Sequence, residues 1–319
     1  MESSYLLHLN TMLQVRNKIL RSMSVVEQHV LKTHISNVHE VFKRSLTLNW
    51  TSLRIAAFIS SCSKSLEKMA TVLGDVRKHF FEVEEVVIAI EDMAFFEKND
   101  FKGFSKLSVL EFVEIAEAKR RERVKTLVHK YQSIKPLLLK IEMIVEESDS
   151  GAAPSLRELY SYCEKSIYNA LITVVIRSLN SLLLMLHLFK NSNRLCRLDV
   201  RVKPDNSDSY AIPSLQDIER YMKDLIRSIP ESCRQVTRWM RGSCLEVPPQ
   251  LVSHGVYQEI FEYSFFTDVS RNSFVKNLII EANEVILHDC SQIPRVLHHW
   301  LQHDTSNGLG DAENRASVE

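Results

Sequence analysis

Three histidines close to the C-terminus, His298, His299 and His303, lie in the segment HHWLQH, and two of them stand four residues apart. Imidazoles one helical turn apart can ligate zinc. The segment lacks the glutamate of H-E-x-x-H and offers no third ligand, and cations near a helix C-terminus are favoured by the helix dipole alone. No catalytic, cofactor-binding or metal-ligating residue is assigned, and no cofactor is expected. The other chemical candidate is the basic run Lys119-Arg120-Arg121-Glu122-Arg123-Val124-Lys125. It could meet an acidic partner, but Glu111, Glu114 and Glu117 lie a turn or two earlier and supply opposite charge, so it reads as a solvated helix face.

Other chemistries are excluded by what is missing. No G-x-x-x-x-G-K-[ST], G-x-G-x-x-G or G-x-S-x-G occurs, which argues against nucleotide hydrolysis by this stretch of chain. Cys62, Cys163, Cys196, Cys233, Cys244 and Cys290 form no C-x-x-C pair and read as reduced intracellular thiols. Forty basic residues balance forty acidic ones, so no global field favours nucleic acid or an anionic membrane. The apolar stretch from Ile167 to Phe189 carries Asn169, Arg177, Asn180 and His187. An arginine at mid-bilayer costs about 2.5 to 3.5 kcal/mol on insertion scales, so this stretch reads as a helix buried within a bundle. Trp50, Trp239 and Trp300 read as core anchors.

The elements around these residues follow from glycine scarcity and apolar period. Seven glycines in 319 residues is about a third of the usual frequency of roughly 7%. Tight turns need glycine, so few, long helices are predicted. Ile55, Ile59, Cys62, Leu66, Met69, Leu73, Val76, Phe80, Val83, Val87, Ile90 and Ala94 step by fours and threes, the 3.5-residue repeat of a left-handed seam. Such a helix is about 60 Å long at 1.5 Å per residue. Ser108 and Glu111 form a capping box opening a second helix, whose stripe runs from Val124 through Tyr131 and Leu138 to Val145. Pro136 within it predicts a kink or short break. A loop over Glu146–Pro154 precedes a helix capped by Ser155 and Glu158 that runs to about Lys190. Leu198, Val200 and Val202 alternate with charged residues, the one β signal, and Tyr210-Ala211-Ile212 can return as its partner strand. Ser214 and Asp217 open a helix to about Arg241. A last helix spans roughly Ser270 to His303, interrupted at Pro294, before a disordered end over Asp304–Glu319.

These elements carry an ordered set of motifs. Pro136-Leu-Leu-Leu-Lys140-Ile-Glu142, then Ser150-Gly151-Ala-Ala-Pro154-Ser-Leu156, then Tyr160-Ser-Tyr162-Cys163-Glu164 resembles a signature in the tail of axonemal dynein heavy chains: P-L-L-x-K-x-E, a T-G-K-S-P-x-L loop, and Y-Y-x-Y-W-E. Asn49-Trp50-Thr51-Ser52-Leu53 upstream, and Leu198–Val202, Ile212-Pro213-Ser214-Leu215 and Arg238-Trp239 downstream, resemble flanking pieces in the same order. The likeness covers residues 35 to 303. Ala152 and Ala153 depart from its lysine and serine, Leu159 from its tyrosine and Cys163 from its tryptophan.

The fold expected is all-α: elongated stacked helical bundles with long heptad-patterned helices and one small β-hairpin near 197–212. The divisions are an N-terminal helical segment over 1–48, a long-helix bundle over 49–190, a hairpin plus helical bundle over 191–303, and a disordered end over 304–319. The resemblance implies a non-catalytic tail module in the axoneme of a cilium. It implies dynein intermediate and light chains, or another heavy chain, as partners, with no nucleic acid and no membrane. It also implies that the family's linker and ATPase ring would begin where this sequence stops. An unrelated helical rod or tethering scaffold remains the alternative.

Overall fold

The computed structural model describes residues 2–46, 54–101, 107–147, 153–189, 199–202, 209–236, 238–240, 245–247, 269 and 272–306. The described part is all-α in architecture. Eight α-helices occur among these residues: α1 (Glu2–Ser22), α2 (Val25–Val30), α3 (Lys32–Lys43), α4 (Ile55–Glu91), α5 (Val109–Glu146), α6 (Ala153–Phe189), α7 (Leu215–Ser232) and α8 (Ser273–Ser306). The backbone of β1 (Asp199–Val202) runs antiparallel to that of β2 (Ser209–Ile212), with Val200 opposite Ala211, and the residues on either side of β1 lie outside the described part. A second ladder joins β3 (Arg238–Met240) and β4 (Leu245–Val247).

The chain forms two compact units that do not follow sequence order, and α4, α5 and α6 each contribute to both. The first comprises Met1–Ile88, Tyr131–Ile167 and Arg238–Val247. Its core takes Leu31, Val38 and Phe42 from the N-terminal helices, Cys62, Met69 and Val76 from α4, Ile134, Leu138 and Ile141 from α5, and Leu159 and Ile167 from α6, all buried. The second comprises Ala89–Lys130, Tyr168–Thr237 and Pro248–Glu319. Phe95, Phe96, Phe112 and Leu127 are buried there with Leu171 and Val174 of α6, while α7 packs its Met222, Leu225 and Ile229 face with α8.

The predicted α4 stripe largely faces inward. Ile59, Phe80 and Val87 are its half-buried positions, and the Phe80 ring lies 5.4 Å from that of Tyr162. The helix ends at Glu91, so Ala94, the last stripe residue, is buried from the connection that follows. Ser108 caps α5 as predicted: its amide donates to Glu111 Oε2 at 2.9 Å and its Oγ accepts from the Glu111 amide at 3.3 Å. The Ser108 amide and hydroxyl hold the exposed Glu111 carboxyl below its usual range. Ser214 caps α7 in the same way, accepting from the Asp217 amide.

Four boundaries differ from the sequence reading. No break occurs at Pro136, which lies inside α5. It is exposed while Ile134 and Leu138 on either side are buried, so the carbonyl that loses its donor borders water. The expected interruption at Pro294 is likewise absent: α8 runs unbroken over 34 residues, and the Asp304–Ser306 part of the expected disordered end is helical. Residues 307–319 lie outside the described part. Helix α7 stops at Ser232 rather than Arg241. Pro230 removes a donor in its last turn, and a 3-10 turn, Cys233–Gln235, follows. Helix α6 starts at Ala153, which puts Pro154 and Ser155 in its first turn instead of the cap. Proline is at home there, since those amides have no helical acceptor.

One helix among the described residues, over Glu158–Leu184, is long and apolar enough to cross a membrane by length and composition, and half of its most apolar window is buried. It places Leu171, Val175, Leu179 and Leu182 in a core and Arg177 outward against Asp92. That is the pattern of a bundle helix.

Candidate functional site

The side chains of His298, His299 and His303 lie outside the described residues, as do those of Trp50, Trp239 and Trp300. Among the described residues no group of three or more His, Cys, Asp or Glu side chains is placed to hold a metal ion. Burial pushes the Cys62 thiol up to about 11 and the Cys163 and Cys233 thiols up to about 12, so these sulfurs stay protonated and poorly nucleophilic.

The basic run is not simply a solvated face. Arg121 and Lys125 are exposed, but Lys119, Arg120 and Arg123 turn back into the second unit. Arg120 holds Glu117 at 2.6 Å and Ser232 Oγ at 2.7 Å. Arg123 donates to Asp100 Oδ2 at 2.7 Å and to the Ala94 carbonyl at 3.1 Å, while Lys119 lies 3.3 Å from Asp100 Oδ1. Of the three carboxylates expected to balance the run, Glu117 does so, and Asp100 comes from the α4–α5 connection. Two cations, Lys119 and Arg123, are thus used to fix that connection, while Arg120 ties α5 to the end of α7. The same segment buries Phe95 and Phe96 completely, and the Phe95 amide donates to the buried Ser178 Oγ at 2.7 Å.

A second arginine does related work in the first unit. Arg77 on α4 donates to Glu27 Oε1 at 2.6 Å and to the Ser22 carbonyl at 2.6 Å. Glu27 also accepts from the Ser24 amide at 2.7 Å, and Ser24 Oγ accepts from the Glu27 amide at 3.2 Å, a complete capping box at the start of α2. Burial raises the Glu27 carboxyl, but the Arg77 and Ser24 hydrogen bonds outweigh it and hold the group below its usual range. The sequence signal for this box, Ser24-x-x-Glu27, was open to reading and was missed. Arg77 and Ser178 had no such signal.

The motifs that carry the resemblance meet at a third polar contact. Glu142 closes the segment from Pro136, and Tyr160 opens the Tyr160–Glu164 segment. Eighteen residues apart, they join where Tyr160 Oη donates to Glu142 Oε1 at 2.9 Å. Glu142 is 2% exposed and Glu164 is 5% exposed. A buried carboxylate needs donors, and a phenol on the neighbouring helix supplies one while its ring fills the core. The loop between these motifs, from Ser150 to Ala152, lies outside the described residues.

Residues across nearly the whole chain align with two ciliary proteins. It is 28% identical over 309 residues to the dynein-1-alpha heavy chain of the flagellar inner arm I1 complex of Chlamydomonas reinhardtii, covering 92% of this chain. It is 29% identical over 303 residues to dynein axonemal heavy chain 10 of Homo sapiens, covering 93%. The chain is a distant homologue of axonemal dynein heavy chains. It spans about 6% of the length of either relative. No family model matches it. Four of the described polar contacts tie one element to another: Arg77 to Glu27, Arg120 to Ser232, Arg123 to Asp100 and Tyr160 to Glu142.

Proposed function

We propose that this chain is a non-catalytic tail segment of an axonemal dynein heavy chain, a helical stalk and assembly scaffold for microtubule-based ciliary motility. Its partners would be dynein intermediate and light chains or another heavy chain. The observation that carries this reading is the homology over 92% to 93% of the chain to axonemal heavy chains, in a stretch built on helices of 37, 38 and 37 residues. Long helices with a largely buried apolar stripe can pass load along their length only when packed against neighbours, and α4, α5 and α6 each bury apolar side chains within both units. The heptad seam of α4, the hairpin near 197–212 and the divisions at 49, 191 and 304 belong to this reading.

The test is twofold. Immobilised chain incubated with a salt extract of axonemes should retain dynein intermediate chains, and the pure chain should show no ATP turnover above a buffer blank. Turnover that tracks the chain through purification, or retention of no dynein subunit, would sink the proposal. Small-angle scattering should give an elongated particle; a radius of gyration near the compact-globule value of about 20 Å for this length would count against a stalk.

A further inference from the structure

The α1–α2 junction combines an exposed hydroxyl, unpaired cations and an overcommitted arginine. Ser22 is the last residue of α1 and is exposed. Its Oγ donates to the Ile19 carbonyl at 2.8 Å and accepts from Arg77 Nη2 at 3.3 Å. That guanidinium also serves Glu27 and the Ser22 carbonyl. An open surface cleft beside Ser22 is lined by Gln14, Asn17, Lys18 and Arg21, with no carboxylate. Neither Lys18 nor Arg21 forms an ion pair among the described residues, and both are exposed. A further anion at Ser22 Oγ would therefore meet three cations, one of them already holding Glu27.

We propose that Ser22 is a phosphoacceptor, and that its phosphorylation draws Arg77 off Glu27 and so opens the Glu27–Arg77 clasp at the start of α2. In the transfer, Ser22 Oγ attacks the terminal phosphorus of a nucleoside triphosphate bound by a basophilic protein kinase. A new O–P bond forms, the bond to the bridging oxygen breaks, the nucleoside diphosphate leaves with the electron pair, and the serine proton passes to the kinase's base. Lys18 and Arg21, four and one residues before the acceptor, suit a kinase with an acidic substrate groove. The product phosphate carries about −1.5 to −2 charges and three acceptor oxygens, and it outcompetes a single carboxylate for Arg77. Two effects then act together. The Glu27 side chain, 9% exposed against 40% for Arg77, loses its counter-charge, and a dianion stands at the C-terminus of α1, where the helix dipole is unfavourable.

The experiment treats the full chain with a basophilic kinase and ATP, maps the phosphate by mass spectrometry, and compares amide hydrogen exchange with and without it. Phosphate should arrive on Ser22, and exchange within α2 and α3, residues 25–43, should accelerate at least about tenfold while the α5 and α6 core is unchanged. Ser22→Ala should abolish both changes. Glu27→Gln should accelerate the same amides without kinase and gain little more from phosphorylation, because the two act on one contact. A folded chain that takes no phosphate at Ser22 overturns the proposal. So does a Ser22-phosphorylated chain whose 25–43 exchange matches that of the untreated protein.

Discussion

Two arginines on long helices, Arg77 and Arg123, perform the same grip with different backing. Each holds one carboxylate and one carbonyl oxygen about a bend in the chain: Glu27 of α2 with Ser22 at the end of α1 for Arg77, Asp100 with Ala94 of the α4–α5 connection for Arg123. Around Arg123 the held segment drives Phe95 and Phe96 fully into a core and hangs a backbone amide on Ser178. Around Arg77 the held turn buries Met23, leaves Ser22 and Ser24 in water, and leads into α2 with Val25 69% exposed. An ion pair backed by buried rings is a lock, since breaking it leaves most of the free energy in place. One backed by little apolar area is a latch, and changes in charge can open it. The proposed phosphorylation of Ser22 acts on the latch.

The contrast fails if the Asp100 segment is not held by its rings. Phe95→Ala is expected to cost about 3 to 5 kcal/mol, the range for emptying a buried phenylalanine site. Equilibrium urea unfolding measures it, and a loss under about 1 kcal/mol would mean that charge holds this segment too. Next in size is Arg77→Met, which strands a nearly buried carboxylate. Breaking a buried pair costs more, but Arg77 is partly exposed and solvent screens it, so about 1 to 3 kcal/mol is expected. The effect should be local, seen as faster hydrogen exchange in α1 to α3; a uniform change throughout the chain would contradict a latch.

Acid should open the same latch. The folded Glu27 carboxyl titrates below its unfolded value, so the unfolded chain binds more protons in acid. Its contribution is complete above the unfolded value of about 4.3 and is lost as the pH falls through the lower folded one. Protection of residues 2–43 should show this acid loss, and Glu27→Gln should remove that pH dependence. The smallest effect separates the caps. Ser24→Ala and Ser108→Ala each remove a side-chain acceptor at a helix start, worth about 1 kcal/mol. Ser24→Ala should also weaken the hold on Glu27, so a midpoint shift equal to that of Ser108→Ala would mean that cap and clasp are independent.

Much of the helical frame was legible because its signals are local. The 3-and-4 stepping of α4, the serine caps of α5 and α7 and the glycine shortage concern residues within a few turns, where helical geometry leaves little choice. The interruption expected at Pro294 and the helix end placed at Arg241 instead of Ser232 went astray for one reason. A missing amide costs a hydrogen bond, but whether the helix breaks depends on packing elsewhere along it. The basic run was misjudged similarly: Glu117 was visible as a neighbour, whereas Asp100 reaches Lys119 and Arg123 only through the fold of the connection. The tie between Glu142 and Tyr160 shows both sides. The two motifs were visible in sequence, and the hydrogen bond joining them was not.

By itself the sequence determined that this is a chain of long helices, where several of them start, and which of their faces turn inward, because period and capping act over short distances. Its resemblance to axonemal heavy chains was also legible, since the motifs recur in order. Only the tertiary structure decided which arginines hold which connections and that Lys119, Arg120 and Arg123 serve the fold. It alone showed that one grip is buttressed by the buried rings of Phe95 and Phe96 while the other holds a turn whose buried side chain is Met23. Those outcomes depend on partners fifty or more residues away for Arg77, and on a turn brought back against its own helix for Arg123. No short-range pattern encodes such meetings.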